Sequence, residues 1–584
     1  MLLPRRGSQV IKLYQAARRS VEPAEGPPAS RRGRRARFVR PAAALLTATL
    51  ALATTRVASA QAAAARPRLV VAIAVDQLRA DYMDRFRPFF ARSGFNLFLR
   101  RGASLAEARY EHATTSTCPG HAVILTGSYG SVNGVIGNTW YDARKGRTEY
   151  CAADSTERLI GSALEGRSPR NLNGATIGDL LKISTGGRSR VVTVSAKDRS
   201  AIMLGGQLPD AAYWMEDTLF VTSTYYRPDM PQWAREFNAS GKVSSYFGKK
   251  WERLLPASAY DMVGPDDVPT ERDAAGMGRT FPHPITGGPA IGEAFVDAFD
   301  QSPFSNDVVA EFAMRAVTAE SLGRDTVTDL LGISFSANDR VGHAYGPDSH
   351  EVMDVTIRLD RTLGRLFGLL DRTVGLANVI IVLTADHGVA PLPEVFQRLH
   401  PGASARRFHP AVVDTVVNAA LEARYGPAPA PGWVVYHDQP QIYLNVAALR
   451  ARKAAVDEAE RVAQRAVMSV PGVYEALTET ELAQGRAAGA RTAEVYSYYP
   501  GRSGNIYYQM APYILVDTEP AGTGHGTPWA YDQQVPLLWF GSRIIPGIRQ
   551  TPAAVADIAP TLSALLGLVA PGGSQGRVLS EILR

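Results

Sequence analysis

The sequence predicts a doubly wound α/β fold with a mostly parallel central sheet and helices on both faces. Short apolar, β-branched runs recur along the chain, they end abruptly in polar residues, and helical stretches lie between them. Continuous apolar runs indicate strands that are buried on both faces, as in a parallel sheet covered by helices. The alternation of strands with helices is typical of doubly wound folds.

Polar residues follow the predicted strands and indicate where a site lies. The strands are predicted over Leu69–Val75, Val191–Ala196, Leu331–Ala337 and Val379–Ala385, with Tyr513–Val516 and Pro536–Phe540 as further candidates. These runs lead into Asp76, Lys197, Asp339 and Asp386. One acid at a strand end is usually a cap or a turn residue. Four polar strand ends together indicate a ligand site, because open α/β sheets bind ligands beyond the carboxyl ends of their strands.

Two stretches interrupt the pattern of strands and helices. Ala201–Pro303 is rich in aromatic residues, Gly and Pro, and Leu392–Gly504 contains an Ala-, Arg- and Glu-rich helical run over Ala447–Ala466. Core helices are predicted over Asp307–Ser321 and Glu351–Leu370. We therefore expect one catalytic domain over residues 61–584, with insertions near 201–303 and 392–504.

Residues 1–60 have the organisation of a leader segment. Arg31–Arg40 forms a positive region, Pro41–Thr55 is apolar, and Ala58–Ala60 is a small-residue cleavage site. The apolar run is shorter than the ~20 residues that span a bilayer. The sequence predicts export to the periplasm or the medium, with a mature chain that begins near Gln61 and contains no membrane span. The alternative is a disordered, Arg-rich tail.

The charge of the chain is concentrated in this leader. The formal net charge is +7, but residues 1–60 hold 12 of the 63 Lys and Arg and 2 of the 56 Asp and Glu. The remaining 51 basic and 54 acidic residues give a net charge of −3, so no nucleic acid partner is implied. Two cysteines, Cys118 and Cys151, permit one disulfide or two separate buried thiols, and they are too few for a thiolate zinc site.

Six residues of metal-ligating type occur at predicted strand ends or loops. Carboxylate and imidazole ligands suit Zn²⁺, and six of them are enough for two ions. Two metals roughly 3.5–4 Å apart can hold the attacking and the leaving oxygen of an in-line displacement. Each element alone is more often a surface or capping group, so the argument rests on the complete set: Asp76, Asp339, His343, Asp386, His387 and His525.

A nucleophile is predicted in Thr114–Gly127, TTSTCPGHAVILTG, which is followed by Asn138. A threonine hydroxyl attacks poorly unless a base or a metal activates it. A metal ion bound to the oxygen lowers its pKa, and a helix that begins here would present backbone N–H groups to an anion. The alternative is a Thr/Ser cluster that caps a helix.

Taken in order, these residues resemble the alkaline phosphatase superfamily, and in particular its secreted, phosphate-irrepressible alkaline phosphatases with a threonine nucleophile. The resemblance extends from Leu69 to Arg584 and includes DIAPTLSALLG at Asp557–Gly567. By their positions in the family pattern, it implies that Thr117 is the nucleophile and that Asn138 donates to a phosphoryl oxygen. It also implies two zinc sites, one formed by Asp339, His343 and His525 and the other by Asp76, Asp386, His387 and the Thr117 oxygen.

Related branches of the superfamily differ at identifiable residues. The Cys118-Pro119-Gly120 segment lacks the C-x-P-x-R pattern of sulfatases, and the serine with a neighbouring arginine of enteric alkaline phosphatases is absent. Nucleotide pyrophosphatase/phosphodiesterases share the threonine, the asparagine and the metal ligands. Lys197 and Arg199 resemble the cations of threonine-type monoesterases, which the diesterases lack. They follow a strand at a spacing of two, so both are predicted to face the same way, although a solvated surface pair is the alternative.

The resemblance therefore implies a metal-dependent phosphomonoester hydrolase that forms a phosphothreonine intermediate and acts on small-molecule phosphate monoesters. Lys197 and Arg199 would favour monoesters, because cations help most where non-bridging oxygens carry extra negative charge. The main alternative is a phosphodiesterase or nucleotide pyrophosphatase. A non-enzymatic metal- or phosphate-binding protein and a related mutase or phosphonate hydrolase are further alternatives.

Overall fold

The computed structural model describes residues 66–584. The predicted leader and its cleavage site lie in residues 1–65, outside the described residues. Among residues 66–584, no helix is both long enough and apolar enough to cross a bilayer.

An eleven-stranded sheet forms the centre of the structure. Its strand order is β11-β2-β10-β9-β1-β8-β5-β6-β7-β3-β4, and the five strands from β9 to β6 are parallel to one another. The side chains of β1, β5, β8 and β9 are buried along their whole length, as a sheet covered on both faces requires. The strands are β1 (Leu69–Val75), β2 (Ala103–Leu105), β3 (Ala153–Ile160), β4 (Glu165–Arg167), β5 (Val191–Ser195), β6 (Ala211–Glu216), β7 (Leu219–Ser223), β8 (Asp329–Phe335), β9 (Val379–Thr384), β10 (Leu537–Gly541) and β11 (Gly547–Arg549).

Five helices of the catalytic-site side and the covering layers are labelled here: α1 (Thr117–Thr126), α2 (Asp198–Gly205), α3 (Pro303–Ala319), α4 (Ala337–Tyr345) and α5 (His350–Thr373). Of these, α1, α2 and α4 carry residues of the candidate site. The helix α2 directly follows β5, and α4 directly follows β8, so both begin at the carboxyl ends of parallel strands. Helix α1 ends at Gly127, whose φ of 67° is the left-handed conformation that glycine adopts without steric cost. The predicted doubly wound α/β class is confirmed.

Two predicted strands differ from the structure. The run Leu331–Ala337 was predicted as a strand to its end, but β8 stops at Phe335 because Ala337 begins α4. The candidate Tyr513–Val516 lies outside the central sheet, since Ile514–Val516 pairs with Arg406–Phe408 in a separate two-stranded sheet. Hydrophobicity alone identifies such a strand as buried but does not identify its partner.

The predicted insertions also have more structure than the sequence indicated. The segment 201–303 contains β6 and β7, which extend the central sheet, so only the part after Ser223 departs from it. The segment 392–504 contributes three strands to a four-stranded sheet that Ile506–Met510 completes; the three are Val434–Asp438, Gln441–Leu444 and Val473–Thr478. The single helix predicted over Ala447–Ala466 is two helices, Val446–Ala451 and Val456–Met468.

Candidate active site

The four polar strand ends predicted from the sequence converge at one edge of the sheet. Asp76 follows β1, Asp386 lies two residues after β9, Asp339 lies in the first turn of α4, and Lys197 is the N-cap of α2. All four side chains are buried. They meet because the parallel strands β9, β1, β8 and β5 are neighbours and end at the same edge.

Asp339, His343 and His525 form one compact group. Asp339 Oδ1 lies 3.2 Å from His343 Nε2 and 3.5 Å from His525 Nε2, and the two Nε2 atoms are 3.2 Å apart. Asp339 and His343 were predicted at a strand end or in a loop, but both lie on α4. Residues four apart on a helix share one face, so the helix itself brings this carboxylate and imidazole together.

Asp76, Asp386 and His387 form a second group, whose ligand atoms all lie within 4.8 Å of one another. Asp76 Oδ1 is 3.4 Å and Asp386 Oδ2 is 3.5 Å from His387 Nε2. His387 also lies within 4.8 Å of the Asp339 and His525 ligand atoms, and its ring stacks on His525 with centroids 3.5 Å apart. The two groups are therefore contiguous.

Backbone carbonyl groups fix the tautomer of the three histidines. The Nδ1 atoms of His343, His387 and His525 lie 2.7 Å from Thr523 O, 3.0 Å from Gly388 O and 2.8 Å from Thr115 O, respectively. A carbonyl oxygen only accepts, so each Nδ1 donates and Nε2 is the ring atom that faces the site. Metal-binding histidines are usually held by an outer hydrogen bond of this kind.

The electrostatics of the site fit bound cations. Asp76 Oδ1, Asp386 Oδ2 and His387 Nε2 are buried and have no hydrogen-bond partner among the described residues. Burial, together with the neighbouring Asp339 and Asp386, raises the pKa of Asp76 to about 6. Burial and the nearby His525 hold the pKa of His387 well below its usual range, which keeps this ring neutral. A buried carboxylate oxygen without a hydrogen-bond partner is costly unless a positive charge meets it, so these unpartnered atoms fit divalent metal ions.

Lys197 lies between the two ligand groups. Its Nζ donates to Asp76 Oδ2 at 2.6 Å and to Asp339 Oδ2 at 2.5 Å. The sequence predicted that Lys197 and Arg199 follow a strand and face the same way because of their spacing of two, but the period of a strand does not apply to them. Lys197 has extended backbone but caps α2, and Arg199 lies in the first turn of that helix. The helix start, and not a strand, brings both cations to the edge of the sheet.

Thr117 and Asn138 lie beside the ligand groups. Thr117 is the first residue of α1 and is buried, as the prediction of a helix start required. The Cys118 backbone N–H donates to Asn138 Oδ1 at 2.8 Å, which leaves the amide NH₂ of Asn138 to other acceptors. Asn138 also lines a cavity of about 430 Å³ together with His343 and His525.

Gly120 allows α1 to lie close to the second ligand group. A Cβ atom at this position would lie 2.3 Å from Asp386 O, so only glycine allows the close approach. Of the two alternatives for the cysteines, the structure has the disulfide, which joins Cys118 of α1 to Cys151. The Cys151 N–H donates to Asn138 O at 2.9 Å, so both cysteines hold Asn138.

Two residues outside the predicted site contact the metal-ligating side chains. Gln77 N–H donates to Asp386 Oδ1 at 3.1 Å, and Gln77 Nε2 donates to Asp339 Oδ1 at 2.8 Å. Its φ of 65° is rare for a residue other than glycine and is typical of strained functional positions. His121 Nδ1 lies 3.1 Å from Asp386 Oδ2, although its hydrogen bond goes to Thr117 O at 2.9 Å. The position of Gln77 next to Asp76 and the sequence CPGH were the available indications.

Comparison with known proteins gives a consistent family assignment. The family model described as "Type I phosphodiesterase / nucleotide pyrophosphatase" matches residues 70–516. Alkaline phosphatase PhoV from Synechococcus elongatus is 33% identical over 531 residues, which cover 89% of this chain and 94% of that protein. Alkaline phosphatase PafA from Elizabethkingia meningoseptica is 33% identical over 524 residues, covering 89% of this chain and 95% of that protein.

The fold agrees with these sequence relationships. The crystal structure of wild-type alkaline phosphatase PafA superimposes with a TM-score of 0.83 at 32% identity, covering 89% of this chain and 99% of that chain. The resemblance to alkaline phosphatases that the motifs indicated is thus confirmed over 89% of the chain. The chain belongs to the type I phosphodiesterase/nucleotide pyrophosphatase family, within which it is similar over most of its length to bacterial alkaline phosphatases.

Proposed function

We propose that this protein is a metal-dependent phosphomonoester hydrolase, an alkaline phosphatase, that acts through a phosphothreonine at Thr117. The observation that carries the proposal is the position of Lys197 and Arg199 at the start of α2, beside the six metal-ligating residues. The similarity to PhoV and PafA supports the same activity. The substrates are small phosphate monoesters, and the products are inorganic phosphate and an alcohol.

The metal-binding residues divide into two sets. Asp339, His343 and His525 would hold one Zn²⁺, and Asp76, Asp386 and His387 would hold a second Zn²⁺ together with the Thr117 oxygen. When bound, two such ions supply Lewis acidity that activates the nucleophile and stabilises the leaving oxygen. The unpartnered Asp76 Oδ1, Asp386 Oδ2 and His387 Nε2 atoms support this assignment.

The residues of the chain contribute positioning and charge. The Thr117 hydroxyl attacks phosphorus in line with the leaving oxygen, and the N-terminal end of α1 favours the negative charge of the phosphoryl group. The Asn138 amide donates to one non-bridging oxygen. Lys197 and Arg199 interact with the other non-bridging oxygens. Because the folded protein already holds both cations in place, they stabilise the negative charge of the transition state without having to rearrange. Water then hydrolyses the phosphothreonine, which regenerates Thr117.

A phosphodiesterase or nucleotide pyrophosphatase is the second candidate, because the matching family model has that description. A diester carries an organic group on one of the oxygens that Lys197 and Arg199 would meet, so these cations stabilise its transition state less.

The two activities are separated by comparing kcat/KM for an aryl phosphate monoester and the matching methyl aryl diester on purified, zinc-loaded protein. We expect the monoester to be preferred and the Thr117→Ala variant to lose both activities. A preference for the diester would assign the protein to the second class.

Export is part of the proposal, with the periplasm or the medium as the location of the mature enzyme.

A further inference from the structure

A hydrogen-bonded cluster outside the metal-ligating residues surrounds Arg199. The Tyr150 hydroxyl donates to Asp198 Oδ1 at 2.6 Å, and Arg167 Nε donates to Asp198 Oδ2 at 2.8 Å. The backbone N–H of Arg199 also donates to Asp198 Oδ1, at 2.6 Å. Tyr150, Asp198 and Arg167, here called the Arg199 clamp, therefore fix the first turn of α2 against β4 and the strand Arg147–Tyr150.

The clamp holds the Arg199 backbone through Asp198 and acts on the guanidinium electrostatically. Burial alone would lower the pKa of Arg199, but the adjacent Tyr150 and Asp198 raise it, and Asp76 adds to the effect. The guanidinium thus lies within electrostatic reach of both the clamp and the ligand groups. Its Nε atom is buried and has no partner among residues 66–584. Because no described residue accepts a hydrogen bond from this Nε–H group, Arg199 can still donate one to a ligand.

The disulfide connects the clamp to the nucleophile. Tyr150 precedes Cys151, which is bonded to Cys118, the residue after Thr117. The N–H groups of Cys118 and Cys151 donate to the side-chain and the backbone oxygen of Asn138, at 2.8 and 2.9 Å. One covalent unit therefore relates the nucleophile, the amide donor and the tyrosine that donates to Asp198.

We propose that Tyr150 and Asp198 are positioning residues that hold Arg199 towards the phosphoryl group and so determine the preference for monoesters over diesters. The inference rests on the proposed monoesterase function. Neither residue touches the substrate; each acts through the guanidinium. A long arginine side chain loses much conformational freedom when it is fixed, and the clamp makes that ordering part of folding. A cation stabilises a transition state most when the protein already holds it in position before the reaction.

The first test is Tyr150→Phe, which removes the hydroxyl and keeps the ring. We expect kcat/KM for an aryl monoester to fall about ten-fold, the lower end of the effect of removing a supporting hydrogen bond at an active site. The methyl aryl diester should change by less than about two-fold, because it depends little on Arg199. Tyr225→Phe is the matched control. Its hydroxyl contacts Gln207 Oε1 at 3.0 Å, outside the clamp, so both activities should stay unchanged.

The decisive test is a double-mutant cycle with Arg199→Ala. If Tyr150 acts through Arg199, Tyr150→Phe causes no further loss of monoester activity once Arg199 is absent. An equal loss in both backgrounds would overturn the inference, because it would reveal a general structural effect. Asp198→Asn keeps the shape of the carboxylate and gives a second variant for the same cycle if Tyr150→Phe does not fold.

Failure of this inference is distinguishable from failure of the proposed function. Selective loss of monoester activity in Arg199→Ala, with Tyr150→Phe and Asp198→Asn neutral, would reject the clamp alone. An unmodified enzyme that prefers the diester, with Arg199→Ala neutral, would reject the monoesterase function on which the clamp depends.

Discussion

Lys197 and Arg199 both carry positive charge to the site, but the structure predicts that their removal has different consequences. Arg199→Ala removes a cation that contacts no ligand carboxylate directly. Lys197→Ala removes the ammonium that donates to Asp76 and Asp339 at 2.6 and 2.5 Å. The first substitution removes positive charge offered to the substrate and leaves each ligand carboxylate with its hydrogen-bond partners, whereas the second leaves two buried carboxylates without their cation.

The magnitudes follow from these contacts. Loss of one electrostatic donor typically lowers the rate 10²–10³-fold, or about 2.7–4 kcal/mol, so each variant should lose monoester kcat/KM by roughly that factor. Diester kcat/KM should change little in Arg199→Ala. The Lys197 side chain is only 4% exposed, and removing one partner of a buried ion pair costs about 3–5 kcal/mol. Chelated Lys197→Ala should therefore be less stable than chelated wild type by about that amount.

The assay combines steady-state kinetics on both substrates with denaturant unfolding in the presence of a chelator. Arg170→Ala is the control for loss of a guanidinium, because Arg170 is half-exposed and pairs with Glu157 outside the site. An equal loss of monoester and diester activity in Arg199→Ala would refute the assignment of that residue as a selector. Unchanged stability of chelated Lys197→Ala would refute the proposed neutralising role of its ammonium.

Three other properties can be checked directly. Chelation should abolish activity, and elemental analysis of active enzyme should find two zinc ions per chain; one ion in fully active enzyme would contradict the two sets of ligands. Reduction of the Cys118–Cys151 disulfide, which spans 33 residues, should lower the free energy of unfolding by roughly 3–4 kcal/mol on the chain-entropy model, with Cys118→Ala/Cys151→Ala as the matched variant. Amino-terminal sequencing of exported protein should begin near Gln61, and an intact Met1 in cytosolic protein would reject export.

The sequence predicted the sheet and indicated the candidate ligand residues, because strand ends and Asp/His pairs are local patterns. The buried run Leu69–Val75 matches β1 to the residue, and Asp76 follows it as expected. Asp339 was assigned correctly as a strand-end acid but to the wrong local structure. The apolar run before it continues into Ala337, so hydrophobicity did not mark the change from strand to helix at Ser336.

The supporting residues could not be predicted, because their partners are distant in the sequence. Tyr150 reaches Asp198 across 48 residues, and Gln77 reaches Asp339 across 262. The position of Gln77 next to Asp76 was an indication of proximity to the site, but it did not identify the distant residue that Gln77 contacts. The left-handed backbone of Gln77 is set by the surrounding tertiary structure, since intrinsic preference favours glycine or asparagine at such a position.

The identity of the nucleophile is tested most directly by trapping the covalent intermediate. Enzyme turning over an aryl phosphate is quenched in acid and digested, and the peptide that contains Thr117 is analysed by fragmentation mass spectrometry. We predict one phosphoryl group on Thr117, and none on the same peptide from Thr117→Ala. Phosphate on Thr114, Thr115 or Ser116, or burst kinetics without any phosphopeptide, would contradict the assignment of Thr117 as the nucleophile.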